Sequence, residues 1–209
     1  VDEPCAAASG GGLPIHRAAG HMTIRTGGGT TTVAILSIAG IVFSRGSPVA
    51  GDEMDESIAD YMRRAYGLVI GERTAEEVKI KIGSVFPMDK EMTMEVKGRD
   101  IVSSLPKTLS LTSQEVREAL LGPTRSILEC VRICLDRCPP DLAADLIGRG
   151  IVLAGGGALV RGMDQLIAED TGLPVHVAED PLSAVIQGTA KFLDDIRFLR
   201  RVAKEEPED

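Results

Sequence analysis

Residues 22–37, Met-Thr-Ile-Arg-Thr-Gly-Gly-Gly-Thr-Thr-Thr-Val-Ala-Ile-Leu-Ser, decide how this chain folds. Two runs rich in Ile, Val and Thr, at 22–26 and 32–37, flank three consecutive glycines, a pattern that predicts two strands joined by a tight turn. A third run at 41–45 extends the meander. A second triple, Gly155-Gly156-Gly157, follows an apolar strand at 150–154. A helix is expected after it from about Leu159, then a short strand at 174–177 and a helix over 181–193. Strands first in a meander and later alternating with helices predict an α/β fold with a mixed sheet.

Three glycines in a row let successive backbone N–H groups turn toward one point with no Cβ in the way, which makes a nest for anionic oxygens. In the first loop, Thr30 and Thr31 are expected to add hydroxyl donors. In the second, the start of a helix adds its positive end. Neither loop has the Gly-Lys-Ser/Thr of a P-loop or the spacing of a dinucleotide-binding turn. Singly, each is more often only a tight turn. Two of them in one chain, with a basic helix between, point to a nucleotide.

That intervening stretch begins after Gly51-Asp52 with a helical pattern carrying Met54, Ile58, Tyr61 and Met62. Thr74 and Glu77 have the spacing of a capping box for the next helix, which carries Val78, Ile82 and a lysine face. Alternation at Met92, Met94 and Val96 predicts a strand in a small insertion running to about residue 110. Thr112 or Ser113, with Glu115, should cap a further helix, and Gly122-Pro123 should break it. A second helix then runs to Cys138-Pro139-Pro140, followed by a short one at 142–147. Cys130, Cys134 and Cys138 recur every four residues, so they share a helix face and are read as small buried apolar groups rather than metal ligands.

The composition removes several functions. With 23 basic against 31 acidic residues, a net charge of −8 and 3% aromatics, the chain lacks the cationic patch and stacking platforms of a nucleic-acid binder. Its clearest basic cluster is Arg197, Arg200 and Arg201. No apolar run approaches the roughly 20 residues that span a bilayer. The tail at 204–209 is short and acidic and is expected to be disordered. His16, His21 and His176 have no ligand spacing and are read as surface or loop residues.

The order of these motifs resembles the MreB family of bacterial actin-like proteins, within the actin, sugar-kinase and chaperone ATPase superfamily. The motifs are Gly-Gly-Gly-Thr-Thr at 27–31, Gly-Asp-Glu-Met-Asp-Glu at 51–56, Gly-Glu-Arg-Thr-Ala-Glu-Glu at 71–77 and Ala-Gly-Gly-Gly-Ala-Leu at 154–159. The resemblance implies a ribonuclease H-like core with an inserted α+β lobe. It would make residues 1–17 a remnant of domain I, 18–53 and 118–186 the core of domain II, 54–117 the lobe, and 187–209 a C-terminal helix and tail. Gly27, Gly28, Gly29 and Thr30 would form a phosphate loop, and Ala75, Glu76 and Lys79 the adenosine side. Gly155, Gly156, Gly157 and Ala158 would form an adenosine loop, and Glu3 would orient the attacking water. ATP or ADP is the implied ligand, and the implied partners are further copies of the chain in a filament and proteins of an inner-membrane cell-shape complex. The implied location is cytoplasmic, at the inner face of the membrane.

Two departures bear on chemistry. The family's first phosphate loop, an Asp-x-Gly-Thr segment, has no match here, so the chain is expected to be the C-terminal part of a longer protein. Arg25 stands where the family places an Asp that organises hydrated Mg²⁺. A unit charge about 4 Å away is worth roughly 4 kcal/mol at an effective dielectric near 20, before screening. Arg25 is therefore expected to oppose the metal, and either to pair with a phosphate or to point to solvent. Hydrolysis is expected to be impaired, which leaves a diverged paralogue acting only as a binding module as the alternative. A sugar or acetate kinase would need a catalytic Asp beside the first loop, and a chaperone ATPase a β-rich peptide-binding domain; neither is found.

Overall fold

The structure, a computed structural model, describes residues 2–38 and 40–194. The basic cluster at 197–201 and the acidic tail lie outside the described residues. The meander forms as expected: β1 (His21–Thr26), β2 (Thr31–Ser37) and β3 (Gly40–Ser47) are successive antiparallel neighbours. β7 (Ile151–Ala154) then pairs parallel to β1, and β8 (Val175–Val177) parallel to β7, giving a mixed sheet of order β3-β2-β1-β7-β8.

Both faces of this sheet are buried, and the period of two along each strand sorts residues between them. Met22, Ile24, Val33, Ile35, Ile151 and Leu153 point into the main core. That core also takes Met54, Ile58 and Met62 of α2 (Gly51–Tyr66), Ile127 and Val131 of α5 (Leu121–Asp136), and Ile167 of α7 (Met163–Thr171). Ala34, Leu36, Val152 and Ala154 point to the opposite face. There they meet α1 (Glu3–Gly10) and α8 (Ala184–Asp194). These two helices touch through small residues. A Cβ on Gly10 would lie 1.7 Å from the carbonyl oxygen of Ala184, and one on Gly188 would lie 1.8 Å from that of Ala6.

A second sheet, β4 (Leu68–Val69), β5 (Thr93–Asp100) and β6 (Pro106–Thr112), is antiparallel. With α3 (Glu72–Ile82) and α4 (Ser113–Ala119) it packs into the same core, through Val78, Ile82, Val96, Leu111 and Val116.

Four local expectations need correction. The Thr74–Glu77 pair caps nothing: Gly71 is the N-cap, its carbonyl takes the amides of Thr74 and Ala75, and α3 begins at Glu72. Gly71 is already extended as the chain leaves β4, so the helix starts before Thr74 is reached. The capping box instead closes at Thr112–Glu115, where both reciprocal bonds form. The break ascribed to Gly122-Pro123 falls at Leu120, with Pro123 inside the first turn of α5, where a missing N–H leaves no bond unmade. His21 is no surface residue: it is fully buried on β1, and neither ring nitrogen finds a well-formed hydrogen bond among the described residues. The short helix expected at 142–147 is longer, α6 (Pro140–Arg149).

Candidate nucleotide cleft

Parallel pairing of β1 with β7 brings the glycine triples together. Arg25 lies opposite Ala154, so Thr26-Gly27 and Gly155 leave the sheet side by side at its carboxyl edge. In open α/β sheets that edge is where ligands sit. Contact between the loops is close: a Cβ on Gly155 would lie 2.3 Å from the Thr26 carbonyl oxygen, and one on Gly157 would lie 2.3 Å from Thr26 Cγ2. Gly155 also has φ +81, a conformation that side chains rarely adopt.

Neighbouring segments pin each loop. The amides of Gly51 and Asp52, at the start of α2, donate to the carbonyls of Gly27 and Gly28. Gly27 donates to the Thr30 carbonyl, closing the turn. Gly155 donates to the Pro181 carbonyl, ahead of α8. Among the described residues the amides of Gly28 and Gly29 have no partner. Gly156 and Gly157 open a four-residue 3₁₀ turn (Gly156–Leu159), whose leading amides have no partner within the turn. Four donors therefore stand at one edge of the sheet, the arrangement an anion needs.

Both triples border one cleft of about 480 Å³, within the roughly 300–1,000 Å³ usual for small-molecule sites. Gly27, Gly28, Gly155, Gly156 and Gly157 border it, as do Arg25 and, from the α2–α3 side, Gly51, Met54, Glu76, Lys79 and Ile80. Of the other expected site residues, Gly29 and Thr30 are exposed at the tip of the first loop outside the lining, Ala75 is fully buried in the core, and Ala158 is buried behind the second loop. Thr31 offers no hydroxyl to a ligand, since it donates to the Val49 carbonyl at 2.8 Å. No α-helix follows the second triple directly: after the 3₁₀ turn Val160 is extended and Gly162 left-handed, and α7 starts only at Met163. That loop offers backbone amides rather than a helix end.

The opposite wall is apolar and was not anticipated. Pro181, Leu182, Val185 and Ile186 line it. Leu182, in the turn before α8, is 67% exposed and Ile186 on α8 is 72% exposed, while Ala184, Gly188 and Phe192 of that helix are buried. Large apolar side chains left outward on and just before a helix whose packing face is small were the available signal.

Two cations border the cleft, and each has a carboxylate. The Lys79 ammonium bonds Asp55 at 2.7 Å and the Gly51 carbonyl at 2.8 Å, and its side chain is 13% exposed. Burial holds the Asp55 carboxyl above its ordinary value, and Lys79 only partly offsets that. Arg25 meets Glu3, the first residue of α1, at 2.6 Å. The pair forms because residues 21, 23 and 25 face the α1–α8 layer. Arg25 thus does not point freely to solvent, and the carboxylate expected to orient water is held by a guanidinium.

The residues fit an adenine nucleotide: amides for phosphates, a half-exposed arginine, and an apolar wall for a base or sugar. A divalent cation does not fit. Among the described residues no three His, Cys, Asp or Glu side chains gather to hold a metal ion, and the first glycine turn is flanked by one carboxylate, Asp52, and by cationic Arg25.

A mixed five-stranded sheet with two glycine turns at its carboxyl edge defines an actin-like α/β protein. The sequence profile described as MreB/Mbl protein matches residues 1–201, and the chain belongs to that family. It is 48% identical to the cell shape-determining protein MreB of Escherichia coli strain K12 over 196 residues, 94% of this chain and 56% of that protein. It is 45% identical to the cell shape-determining protein Mbl of Bacillus subtilis strain 168 over 195 residues, 93% of this chain and 59% of that one. A solved structure of MreB5 of Spiroplasma citri bound to ADP superposes with a TM-score of 0.93 at 41% identity, over 97% of this chain and 62% of that one. The chain thus spans a little over half the length of the curated relatives it matches.

Proposed function

We propose that this chain is the nucleotide-binding part of an actin-like cytoskeletal protein that assembles with its own copies into filaments at the inner face of the bacterial membrane and helps maintain rod cell shape. The observation that carries this reading is the parallel register of β1 and β7, which sets both glycine turns on one cleft. The names of the relatives, and the ADP in the Spiroplasma citri structure, support it. In this reading Gly27–Gly29 with Thr30 receive phosphates, Gly155–Gly157 with Ala158 receive the adenosine side, and Ala75, Glu76 and Lys79 support it from α3. Residues 54–117 act as the inserted lobe over the cleft, residues 1–17 and 187–209 contribute to domain I, and proteins of a membrane-bound cell-shape complex are the further partners. No described helix is long and apolar enough to cross a membrane, so attachment would be peripheral.

Electron microscopy of the purified chain tests the reading. Filaments that appear with ATP and are absent without nucleotide are expected; particles that stay dispersed in both, at concentrations where nucleotide is bound, would remove the filament assignment. The Arg25–Glu3 pair favours a second reading, in which the chain binds nucleotide but turns it over poorly. Phosphoryl transfer depends mainly on positioning, and a carboxylate whose resting contact is the Arg25 guanidinium is not pre-positioned for water. Steady phosphate release at a rate that rises with ATP would exclude it.

A further inference from the structure

We infer that Arg25 is a phosphate-binding residue that takes the place of a divalent cation, so that the cleft holds the polyphosphate of a nucleotide without magnesium. This rests on the nucleotide reading of the cleft and adds its counter-charge. Arg25 is the penultimate residue of β1, with only Thr26 between it and the first glycine turn. Its Nη1 lies 3.3 Å from where a Cβ of Gly27 would be, so the guanidinium borders the turn that offers the unpartnered amides of Gly28 and Gly29, beside which the Asp52 carboxylate also lies, 3.2 Å from where a Cβ of Gly28 would be. A phosphate seated on those amides would have the guanidinium within reach.

The charge is available for exchange. Arg25 and Glu3 are 27% and 45% exposed, so water screens the pair and either partner can be replaced. Glu3 approaches Nη1 of the planar fork, and Arg25 has no second partner among the described residues. Lys79 cannot play this part, because its ammonium is buried against Asp55 and the Gly51 carbonyl. Among the described residues the cleft therefore carries one exchangeable cation, Arg25, placed at the phosphate turn beside the Asp52 carboxylate. A divalent ion would have to settle beside that cation with no cluster of three ligands among the described residues to hold it. A phosphate oxygen in place of the Glu3 carboxylate needs only rotation of an exposed side chain, and bidentate arginine–phosphate pairing is stronger than the pair it replaces.

Titration calorimetry of the full chain with ATP and ADP, in magnesium and in excess EDTA, tests the inference. Affinities within about threefold of each other are expected in the two buffers. R25A should weaken binding in EDTA by at least about tenfold, the loss of a charge-assisted contact. R25D should make binding depend on magnesium, and E3Q, which releases the arginine, should tighten binding in EDTA roughly two- to fivefold. Wild-type binding that is at least about tenfold weaker in EDTA overturns the inference and leaves the nucleotide reading standing. Absence of binding in both buffers overturns the nucleotide reading itself. Inorganic tripolyphosphate separates the two sources of the phosphate chain: binding clearly weaker than that of ATP is expected because of the Leu182 and Ile186 wall, and equal affinity would assign the cleft to free polyphosphate. Circular dichroism on each variant checks that the fold is kept.

Discussion

The two ion pairs at the cleft use the same chemistry in opposite settings. Asp55–Lys79 lies in the α2–α3 wall, with side chains 7% and 13% exposed, and its ammonium also binds a backbone carbonyl. Arg25–Glu3 lies at the open end of β1, with side chains 27% and 45% exposed. Burying the first pair removes both charges from water, which is why the Asp55 carboxyl stays above its ordinary value despite a lysine at 2.7 Å. One Asp55 oxygen has no hydrogen-bond partner among the described residues. Such a pair fixes geometry rather than adding net stability, and removing either half leaves a buried charge. The second pair is held loosely and can be traded for a ligand. A charged residue lining a cleft is therefore read by what already holds it, and of the two basic residues here only Arg25 is free to answer a phosphate.

The sharpest way to break this comparison is K79A. Leaving Asp55 buried and uncompensated should destabilise the fold by about 3–5 kcal/mol, roughly 10 °C in melting temperature for a chain of this size. Urea denaturation of K79A beside the double variant D55L/K79M decides it, because exchanging the whole pair for apolar groups should come within about 1 kcal/mol of wild type. A mild K79A would mean the pair is as loose as Arg25–Glu3.

Next in size is G155A. It would force a Cβ onto the Thr26 carbonyl at a backbone conformation suited to glycine, and should destabilise by about 2–4 kcal/mol from strain and overpacking together. Nucleotide affinity should fall with it, since Gly155 sets the second loop against the first. Unchanged stability would show that the loops are not locked together.

A milder effect is expected at the buried end of the strand face that carries Arg25. Burial, aided by Arg149 and opposed by Asp145, holds the His21 imidazole below its ordinary value of 6.5. The unfolded chain therefore takes up a proton that the folded chain resists. Stability is full above pH 6.5 and declines as pH falls from there through the lower folded value. Melting temperatures across pH 5–8 should show that decline in wild type and a flatter profile in H21L; identical profiles would place the pH dependence elsewhere. The smallest effect belongs to R25A, where loss of an exposed pair should change stability by no more than about 1 kcal/mol in the same denaturation assay.

Much of this was legible in the residues. The strands at 22–26 and 32–37 could be read from their Ile, Val and Thr content around the glycine turn, and a slip of one residue would turn Met22 and Ile24 away from the core. The glycine triples could be found, but not the reason that they meet, because the parallel pairing of β1 with β7 joins segments more than 120 residues apart. α1 left almost no trace: its run of Cys, Ala, Ser and Gly has no apolar stripe, and its meaning lies in the close approach to Gly188. The Thr74–Glu77 signature misled because a short motif is silent about where the preceding strand ends. Arg25 was visible as a departure from the family, yet its partner was not. Glu3 reaches it only because α1 lies across the face of β1 that carries residues 21, 23 and 25.

Hydrogen–deuterium exchange on the full chain, with and without saturating ATP, tests the central claim most directly, since it reads where the ligand binds without presuming any residue's role. The account predicts slowed exchange in peptides covering residues 25–30, 76–80 and 155–160, with the β5–β6 hairpin tip at 100–106 unchanged. Protection that misses both glycine loops, in a sample where ATP is bound, would contradict it.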